Sequence, residues 1–394
     1  MNLTKKVIQV VKDNLLIELL TEELPPDSLE TLSHQFGETI ASELISRNLV
    51  GKSDFQTYAS PRRIAVNIKS VIDEAEDEEK LIKLMPYSVG FDENNKPTQP
   101  LLKKISSIDE AIKTEDLEIK EDKGQKFIYV TKKLKGIKLE DSLNDIIKNS
   151  LQKLAIKKVM TYQLEDGWTS VNFARPMRGL IVLHGKQVLN VSVLGCTSSN
   201  KTRGHRFESN KETIIINHAD DYEKTLESDG NVIACFNNRK TKIKKDIKDT
   251  LAKLGKEFFI TEDEALTDEV TSLVEMPNIL IGNFEDKYLS IPEECLTLTM
   301  KTNQKYFPIF HKTDGITNSF IIISNISPKN SEQVIHGNEK VIRPRLADAE
   351  FFYDEDKKLG LTTFCEKLKN VIYHHKLGSQ KDRSERVAQK LQYL

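Results

Sequence analysis

Residues 337–358 constrain the fold most strongly, because charged and apolar side chains crowd around one proline in the sequence GNEKVIRPRLADAEFFYDEDKK. Pro344 has a fixed φ angle and no N–H group, so it cannot continue a strand ladder but suits the first turn of a helix. We therefore expect residues 341–342 to be extended and a helix to begin near Leu346.

Arg343 and Arg345 flank this proline. In extended backbone, side chains two residues apart point to the same face, so the two guanidinium groups would form one clamp for phosphate or carboxylate. Several acidic residues follow on the helix, and they support a second interpretation, in which the arginines belong to an internal lattice of ion pairs. The sequence leaves both interpretations open.

The length and charge of the chain restrict the kind of protein it can be. Its 394 residues suggest two to three domains. The charged fraction is 30% but the net charge is only −2, which excludes the overall positive field of a small nucleic-acid-binding domain. Any RNA contact must therefore come from local patches of cations. No apolar run approaches the roughly 18 to 20 residues that cross a bilayer, so we expect a soluble protein without a membrane partner.

The cysteines and the histidine-aspartate group at residues 218–221 give no sign of a metal site. The four cysteines, at positions 196, 235, 295 and 365, are far apart and form no CxxC pair, which predicts reduced and buried thiols in a cytoplasmic protein. His218 and the two aspartates near it begin a helix for which Asn217 is the expected cap, and they cannot all face one ion, so we expect a capping role and not a metal site. The chain also has no phosphate-binding glycine loop, nucleophile elbow or zinc motif, and we predict no catalytic residue in it.

The N-terminal pattern predicts a β-α-β-β unit. Residues 14–21 form an apolar run typical of a buried strand, and apolar residues recur at helical spacing through 29–44. Two short strand patterns then flank a break at residues 60–61. The arginine pair 62–63 lies at this break, where it would either contact phosphate or pair with the acidic turn at residues 22–23.

A hairpin and a second α/β unit follow. Residues 118–133 have the pattern of a hairpin with a turn at the only glycine between them. Farther along, residues 168–173 and 180–184 are expected to be strands. They are joined through Arg175-Pro-Met-Arg178, which places guanidinium groups beside a proline at a strand connection for a second time.

The densest basic cluster is residues 201–207, with the sequence KTRGHRF. Three cations, an imidazole and an aromatic ring suit phosphate binding and base stacking, and Gly204 would let the backbone approach a ligand. The same residues would equally well cap and salt-bridge a loop, so RNA or partner contact and a structural role remain alternatives. Residues 239–248 predict a basic amphipathic helix, which is either a solvated face or a nonspecific phosphate-attracting surface.

Nine segments, taken in order, resemble the β subunit of the bacterial heterotetrameric glycyl-tRNA synthetase. They cover nearly the whole chain, and several are long and unusual. The segments are IELLTEELPPDSL (17–29), SPRRIAV (60–66), FARPMRG (173–179), TRGHRFES (202–209), NHADDYE (217–223), LVEMPNILIGNF (273–284), MKTNQKYFPIF (300–310), GNEKVIRPRLADAEFFYDED (337–356) and KLGSQKDRSERV (376–387).

The resemblance implies a division of labour between two chains. It places the site for glycine, ATP and Mg²⁺ on a separate α subunit, with no cofactor in this chain. The β subunit is expected to bind and position tRNA-Gly, and two α and two β chains are expected to assemble in the cytoplasm. An anticodon-binding domain is implied beyond residue 394, so this chain is expected to be a fragment or truncated product covering the first half to two-thirds of such a subunit.

The predicted fold class is α+β and multidomain, with mixed α/β domains followed by the start of an all-helical, HD-type domain. The expected domains are an N-terminal α/β domain at 1–85, a hairpin-and-helix insert at 86–158, a second, B3/4-like α/β domain at 159–340 and the connecting helix with the start of the HD-type domain at 341–394. The candidate contacts for tRNA or a partner are Arg62, Arg63, Arg175, Arg178, Arg203, His205, Arg206, Lys301, Lys305, Tyr306, Arg343 and Arg345.

Two other functions remain as alternatives. In one, the chain is a structural scaffold whose arginines bind only the α subunit. In the other, it is a hydrolytic editing-type module, although the metal-binding HD motif is not present in these residues.

Overall fold

The computed structural model describes residues 10–392, except 53, 93, 109–111 and 123. The strands, in chain order, are β1 (Lys12–Thr21), β2 (Phe55–Ser60), β3 (Arg63–Ile72), β4 (Glu78–Pro86), β5 (Leu117–Asp122), β6 (Gln125–Leu134), β7 (Met160–Gln163), β8 (Ser170–Phe173), β9 (Met177–His184), β10 (Gln187–Val188), β11 (Ser192–Val193), β12 (Cys196–Thr197), β13 (Lys201–Thr202), β14 (Ile214–Ile215), β15 (Phe258–Phe259), β16 (Asn278–Asn283), β17 (Phe307–His311), β18 (Gly315–Ser324), β19 (Ile372–His374) and β20 (Gly378–Ser379).

The α-helices are α1 (Leu29–Ser46), α2 (Tyr87–Gly90), α3 (Gln99–Ile108), α4 (Leu139–Lys153), α5 (Tyr222–Gly230), α6 (Phe236–Leu254), α7 (Glu264–Leu273), α8 (Glu293–Leu298), α9 (Ser331–Lys367) and α10 (Gln380–Leu391). Short 3₁₀ turns lie at Thr114–Asp116, Ala219–Asp221, Asp286–Ser290 and Leu368–Asn370, and a π-helical turn lies at Thr299–Gln304.

The first sheet is antiparallel, with the strand order β10-β9-β1-β3-β2. Residues 15–21 of β1 are all buried, because β1 lies in the middle of the sheet and helices cover both faces. Leu15 and Ile17 point to the face covered by α1 and α4, whereas Leu16 and Glu18 point to the face covered by α5. The predicted buried strand at 14–21 and the helix that follows it are confirmed.

A smaller sheet, of order β4-β6-β5, packs with α3 around Leu101, Ile105 and Ile128. The predicted hairpin is confirmed: Asp122 pairs with Gln125, and Gly124 adopts a φ of 80° in the turn. The chain then returns to the first core through α4, which packs on α1.

A second large sheet, of order β15-β17-β18-β16, lies between two helical layers. Helices α6 and α7 cover one face, and α8 and the first part of α9 cover the other. Ile342 and Leu346 are the fully buried residues that α9 contributes. No described residue after Leu346 is buried.

The prediction of extended backbone at residues 341–342 is wrong. Helix α9 already begins at Ser331 and carries Pro344 in its interior. An interior proline costs about 3 kcal/mol, but burying a large aliphatic side chain contributes about 1.5–3 kcal/mol. A helix places both Ile342 and Leu346, four residues apart, on the face that packs against the sheet, and this offsets the cost of the proline.

The predicted clamp formed by Arg343 and Arg345 is wrong for the same reason. Two residues apart on a helix, their side chains point to opposite sides. Arg343 pairs with Glu285 at 2.7 Å, and no described side chain forms an ion pair with Arg345. The backbone of α9 leaves helical geometry at Gly360 instead, where φ is 69°.

The predicted α+β multidomain class is confirmed by these sheets and helices, and the exact domain boundaries stay predictions. All four cysteines are free, but the predicted burial is confirmed only for Cys235: Cys196 and Cys295 are partly buried, and Cys365 is exposed. None of the helices among the described residues is long and apolar enough to cross a membrane.

We predict opposite effects of adding a methyl group at two helical glycines. A Cβ at Gly37 would lie 2.7 Å from Thr57 Cγ2, whereas one at Gly337 would meet nothing within 4 Å. Gly37→Ala should therefore lower the free energy of unfolding by up to about 2 kcal/mol through overpacking, and Gly337→Ala should raise it by about 0.5–1 kcal/mol. Urea denaturation followed by circular dichroism measures both changes. A shift of both variants in the same direction would contradict the packing of α1 on β2.

Candidate functional site

Three predicted arginine motifs meet the acidic turn at residues 21–24, where β1 ends. Glu22 N donates to the Pro176 carbonyl at 3.0 Å on one side of the turn. Leu24 N donates to the Pro61 carbonyl at 2.7 Å on the other side. The acidic turn is thus held between two proline-containing strand connections, and the basic loop 202–207 packs against the same edge.

The arginine pair at residues 62–63 is buried and holds the basic loop through its backbone. Arg62 Nη2 donates to the carbonyl of Gly204 at 2.8 Å, and Arg63 Nη2 donates to the carbonyl of Arg203 at 2.8 Å. Arg62 also pairs with Glu275 at 2.7 Å. The predicted pairing of these arginines with residues 22–23 is wrong. Their carboxylate partner is instead Glu275, which follows α7.

Arg63 is completely buried between two carboxylates. Its Nη1 lies 3.7 Å from Glu18 Oε2 and its Nη2 lies 3.6 Å from Glu275 Oε1. Desolvation lowers the pKa of Arg63, but Glu18 and Glu275 together outweigh that effect, so the pKa is raised. Glu18 also accepts hydrogen bonds from Tyr222 and Thr202. Because Arg63 has no exposed surface, its role is to hold the backbone of the basic loop in place.

Arg239 is a buried cation, although the sequence pattern predicts it on a basic helix face that is either solvated or phosphate-attracting. It is fully buried and donates to the carbonyls of Ala59, Ile233 and Thr271 at 2.6–3.0 Å. Desolvation lowers its pKa to about 10. Its burial could have been predicted from its position. Arg239 lies in the first turn of α6, close after the apolar run 232–236, and such a run indicates that this end of the helix is packed against its neighbours.

Two exposed arginines hold the acidic turn from the outside. Arg178 Nε donates to Glu22 Oε1 at 2.7 Å, and Arg206 Nη2 donates to Glu22 Oε2 at 2.9 Å. Arg206 also contacts Glu23 at 3.3 Å. The hydrogen bond from Arg178, helped by Arg206, holds the pKa of Glu22 below its usual value. Arg175 donates to the Glu23 carbonyl at 2.9 Å. Each guanidinium group keeps spare N–H donors at the surface.

Hydrogen bonds hold the backbone of the basic loop at residues 202–207, whereas several of its side chains are exposed. His205 is 2% exposed, and its Nδ1 accepts from the backbone N–H groups of Phe207 and Glu208, both at 3.2 Å. Gly204 is needed for close packing, because a Cβ there would lie 2.5 Å from Gly230 Cα, and its predicted approach to a ligand stays a prediction. Arg203 and Phe207, in contrast, are exposed, and Phe207 is 77% exposed.

A cleft of about 1190 Å³ opens beside this loop. Its walls come from the end of β1, the connection before β9, the hairpin β7–β8, the turn between β11 and β12, and the basic loop. Of the predicted contact residues, the structure brings five to this cleft. They are Arg62, Arg178, Arg203, His205 and Arg206.

The predicted contacts beside the second large sheet, in and just after the π-helical turn, do not line the cleft. Lys301 pairs with Asp263 at 3.1 Å, and Lys305 pairs with Glu269 at 2.9 Å. Tyr306 is buried and donates to Asn338 Oδ1 at 2.6 Å, and burial raises its pKa to about 12. These three side chains hold the π-helical turn and α9 in place.

The predicted capping role of this segment is confirmed, but the capping residue is His218 and not Asn217 as predicted. His218 Nδ1 accepts from Asp220 N at 3.1 Å, at the start of the 3₁₀ turn before α5.

Comparison with known proteins gives one consistent family. The family model described as glycyl-tRNA synthetase beta subunit matches residues 15–394. Relatives named glycine–tRNA ligase beta subunit include those of Janthinobacterium sp. (strain Marseille), 44% identical over 377 residues, and Delftia acidovorans, 44% identical over 378 residues. A third, from Nitrosomonas europaea, is 44% identical over 377 residues. Each match covers 95% of this chain and 52–54% of the relative, so the chain spans about half the length of these relatives.

We predict that the buried carboxylate of Glu275 is essential for the fold around the cleft. Glu275→Ala leaves Arg62 and Arg63 without a shared counter-charge and should lower the free energy of unfolding by about 3–5 kcal/mol. Glu269→Ala breaks the half-exposed pair with Lys305 and serves as the control, with an expected decrease of about 0–1 kcal/mol. Urea denaturation compares the two variants. Equal decreases would show that the buried network contributes no more than a surface pair.

Proposed function

Because the chain belongs to the family of glycyl-tRNA synthetase β subunits, we propose that it is a noncatalytic subunit that binds and positions tRNA-Gly. Glycine transfer would then occur on a separate α subunit, which would also bind ATP and Mg²⁺. Two α and two β chains would assemble in the cytoplasm. Holding a long RNA so that its end reaches an activated glycyl group removes much of the entropic barrier to transfer.

The observation that carries this proposal is the cleft itself. Predicted arginine motifs distant in the sequence supply its walls, and buried partners fix the backbone of the basic loop. Exposed guanidinium groups then face solvent from a rigid base, which suits recognition of phosphate. Arg203 is the clearest case, because no carboxylate in the described part of the chain pairs with it.

Within the described ranges, no group of three or more His, Cys, Asp and Glu side chains is placed to hold a metal ion. The assignment of glycine activation to the α subunit rests on the family relationship and stays part of the proposal.

A hydrolytic role has less support from the cleft. Its thiol, Cys196, is kept protonated because burial raises its pKa. Its imidazole, His205, uses Nδ1 for backbone hydrogen bonds. The scaffold alternative is not separated from RNA binding by the ion pairs, since Arg178 and Arg206 pair with Glu22 and have less charge to offer to either partner.

We predict that removing two cations from the basic loop weakens tRNA binding more than removing two cations elsewhere on the surface. Arg203→Ala with Arg206→Ala should lower the affinity for tRNA-Gly and reduce the slope of log affinity against log salt by about one for each phosphate that the variant no longer binds. Lys245→Ala with Lys248→Ala removes the same charge from the exposed face of α6 and is the matched control. Binding is measured by fluorescence anisotropy across a salt series.

Two outcomes separate the alternatives. If the loop variant binds tRNA-Gly with unchanged affinity and slope but no longer copurifies with the α subunit, the scaffold function replaces the proposal. If both double variants weaken binding equally, the arginines act only through net charge. Glycylation by the α subunit with this chain, with a full-length β subunit, or with neither then tests positioning directly.

A further inference from the structure

The single tryptophan of the chain is almost fully exposed. Trp168 lies in the turn of the hairpin β7–β8 with 91% of its surface accessible. Asp166 holds this turn: its Oδ1 accepts from the backbone N–H of Trp168 at 2.9 Å and of Thr169 at 2.8 Å, and its Oδ2 accepts from Thr169 Oγ1 at 2.6 Å. A large aromatic ring on a well-bonded turn is pre-organised to contact another flat group.

The turn that carries Trp168 belongs to the wall of the cleft. Residues 162–166 of the hairpin line the cleft together with the basic loop. The basic loop contributes a second exposed ring, Phe207, and the exposed guanidinium group of Arg203. The backbone of this loop is fixed by Arg62 and Arg63, and Asp166 fixes the turn that carries Trp168. Trp168 follows this stretch of lining residues but is not itself among the residues that line the cleft.

The charges in the cleft indicate which form of RNA it fits. Five cationic and four carboxylate side chains line it, so it lacks the positive field that would attract a duplex by its phosphates alone. Glu165 and Glu212 have no cationic partner among the described residues, and a carboxylate can accept hydrogen bonds from base amino groups. Flat faces of bases are accessible for stacking only where RNA is unpaired.

We propose that this cleft binds an unpaired segment of RNA, with bases stacked on Trp168 and Phe207 and a phosphate bound by Arg203. This inference rests on the proposed function and names the part of the RNA that the cleft takes. The spare N–H donors of Arg178 lie on the same wall and add a second phosphate contact.

The tryptophan provides a direct test. Because Trp168 is the only tryptophan, fluorescence excited at a wavelength that tyrosine does not absorb reports on the environment of Trp168 alone. A short unstructured RNA oligonucleotide should quench this fluorescence and protect it from acrylamide, and a blunt RNA duplex should do neither. Trp168→Ala should weaken binding of the labelled oligonucleotide by about fivefold to a hundredfold, as expected when one stacked base is no longer held.

Two further variants show whether stacking is the cause. Trp168→Phe retains an aromatic face and should retain most of the affinity. Phe351→Ala removes an exposed ring from α9 and should leave the affinity unchanged. Equal binding of duplex and oligonucleotide, or binding of the oligonucleotide without quenching, would overturn the proposal. The proposal would also be overturned if the added α subunit shields Trp168 and RNA does not. That measurement uses a tryptophan-free variant of the α subunit.

The result also separates this proposal from the proposed function. If tRNA-Gly still binds in a manner that depends on Arg203 and Arg206 but leaves Trp168 unquenched, only the unpaired-segment proposal fails. If neither tRNA-Gly nor the oligonucleotide binds, both fail.

Discussion

The structure around the cleft depends on the compensation of buried guanidinium groups. Arg63 and Arg239 are fully buried, and a cation in that position is stable only when carboxylates or carbonyls surround it. Arg63 has Glu18 and Glu275 beside it, and Arg239 has three carbonyls. These partners come from strands β1 and β2 of the first sheet, from α7, and from the segments before α6 and after α7. The cations therefore join the first sheet to the helices that cover the second large sheet.

Much of this arrangement follows from local sequence pattern. The buried strand at 14–21 and the helix at 29–46 are predictable, because apolar runs and helical spacing act over a few residues. The arginine motifs are also visible as unusual groupings of charge beside proline or glycine. Their convergence on one cleft is consistent with what the family resemblance implies, since the segments that match the family include all three motifs.

The partners of the arginines could not be predicted from the sequence. Glu275 is more than 200 residues from Arg62, and nothing in the sequence distinguishes it from the many other glutamates. Pro344 led to a wrong prediction for a different reason. The energetic cost of a proline inside a helix is real, but the burial of Ile342 and Leu346 offsets that cost. Trp168 gave no signal of its own, because a single aromatic residue in a strand pattern is usually part of a core.

The way in which the basic loop is held has a consequence for its evolution. Arg62 and Arg63 bind the loop through main-chain oxygens, which every amino acid provides, and the one position that needs a particular residue for steric reasons is Gly204. The side chains at positions 203, 206 and 207 can therefore change without altering the path of the backbone. A lineage could exchange these three side chains while the supporting framework stays the same.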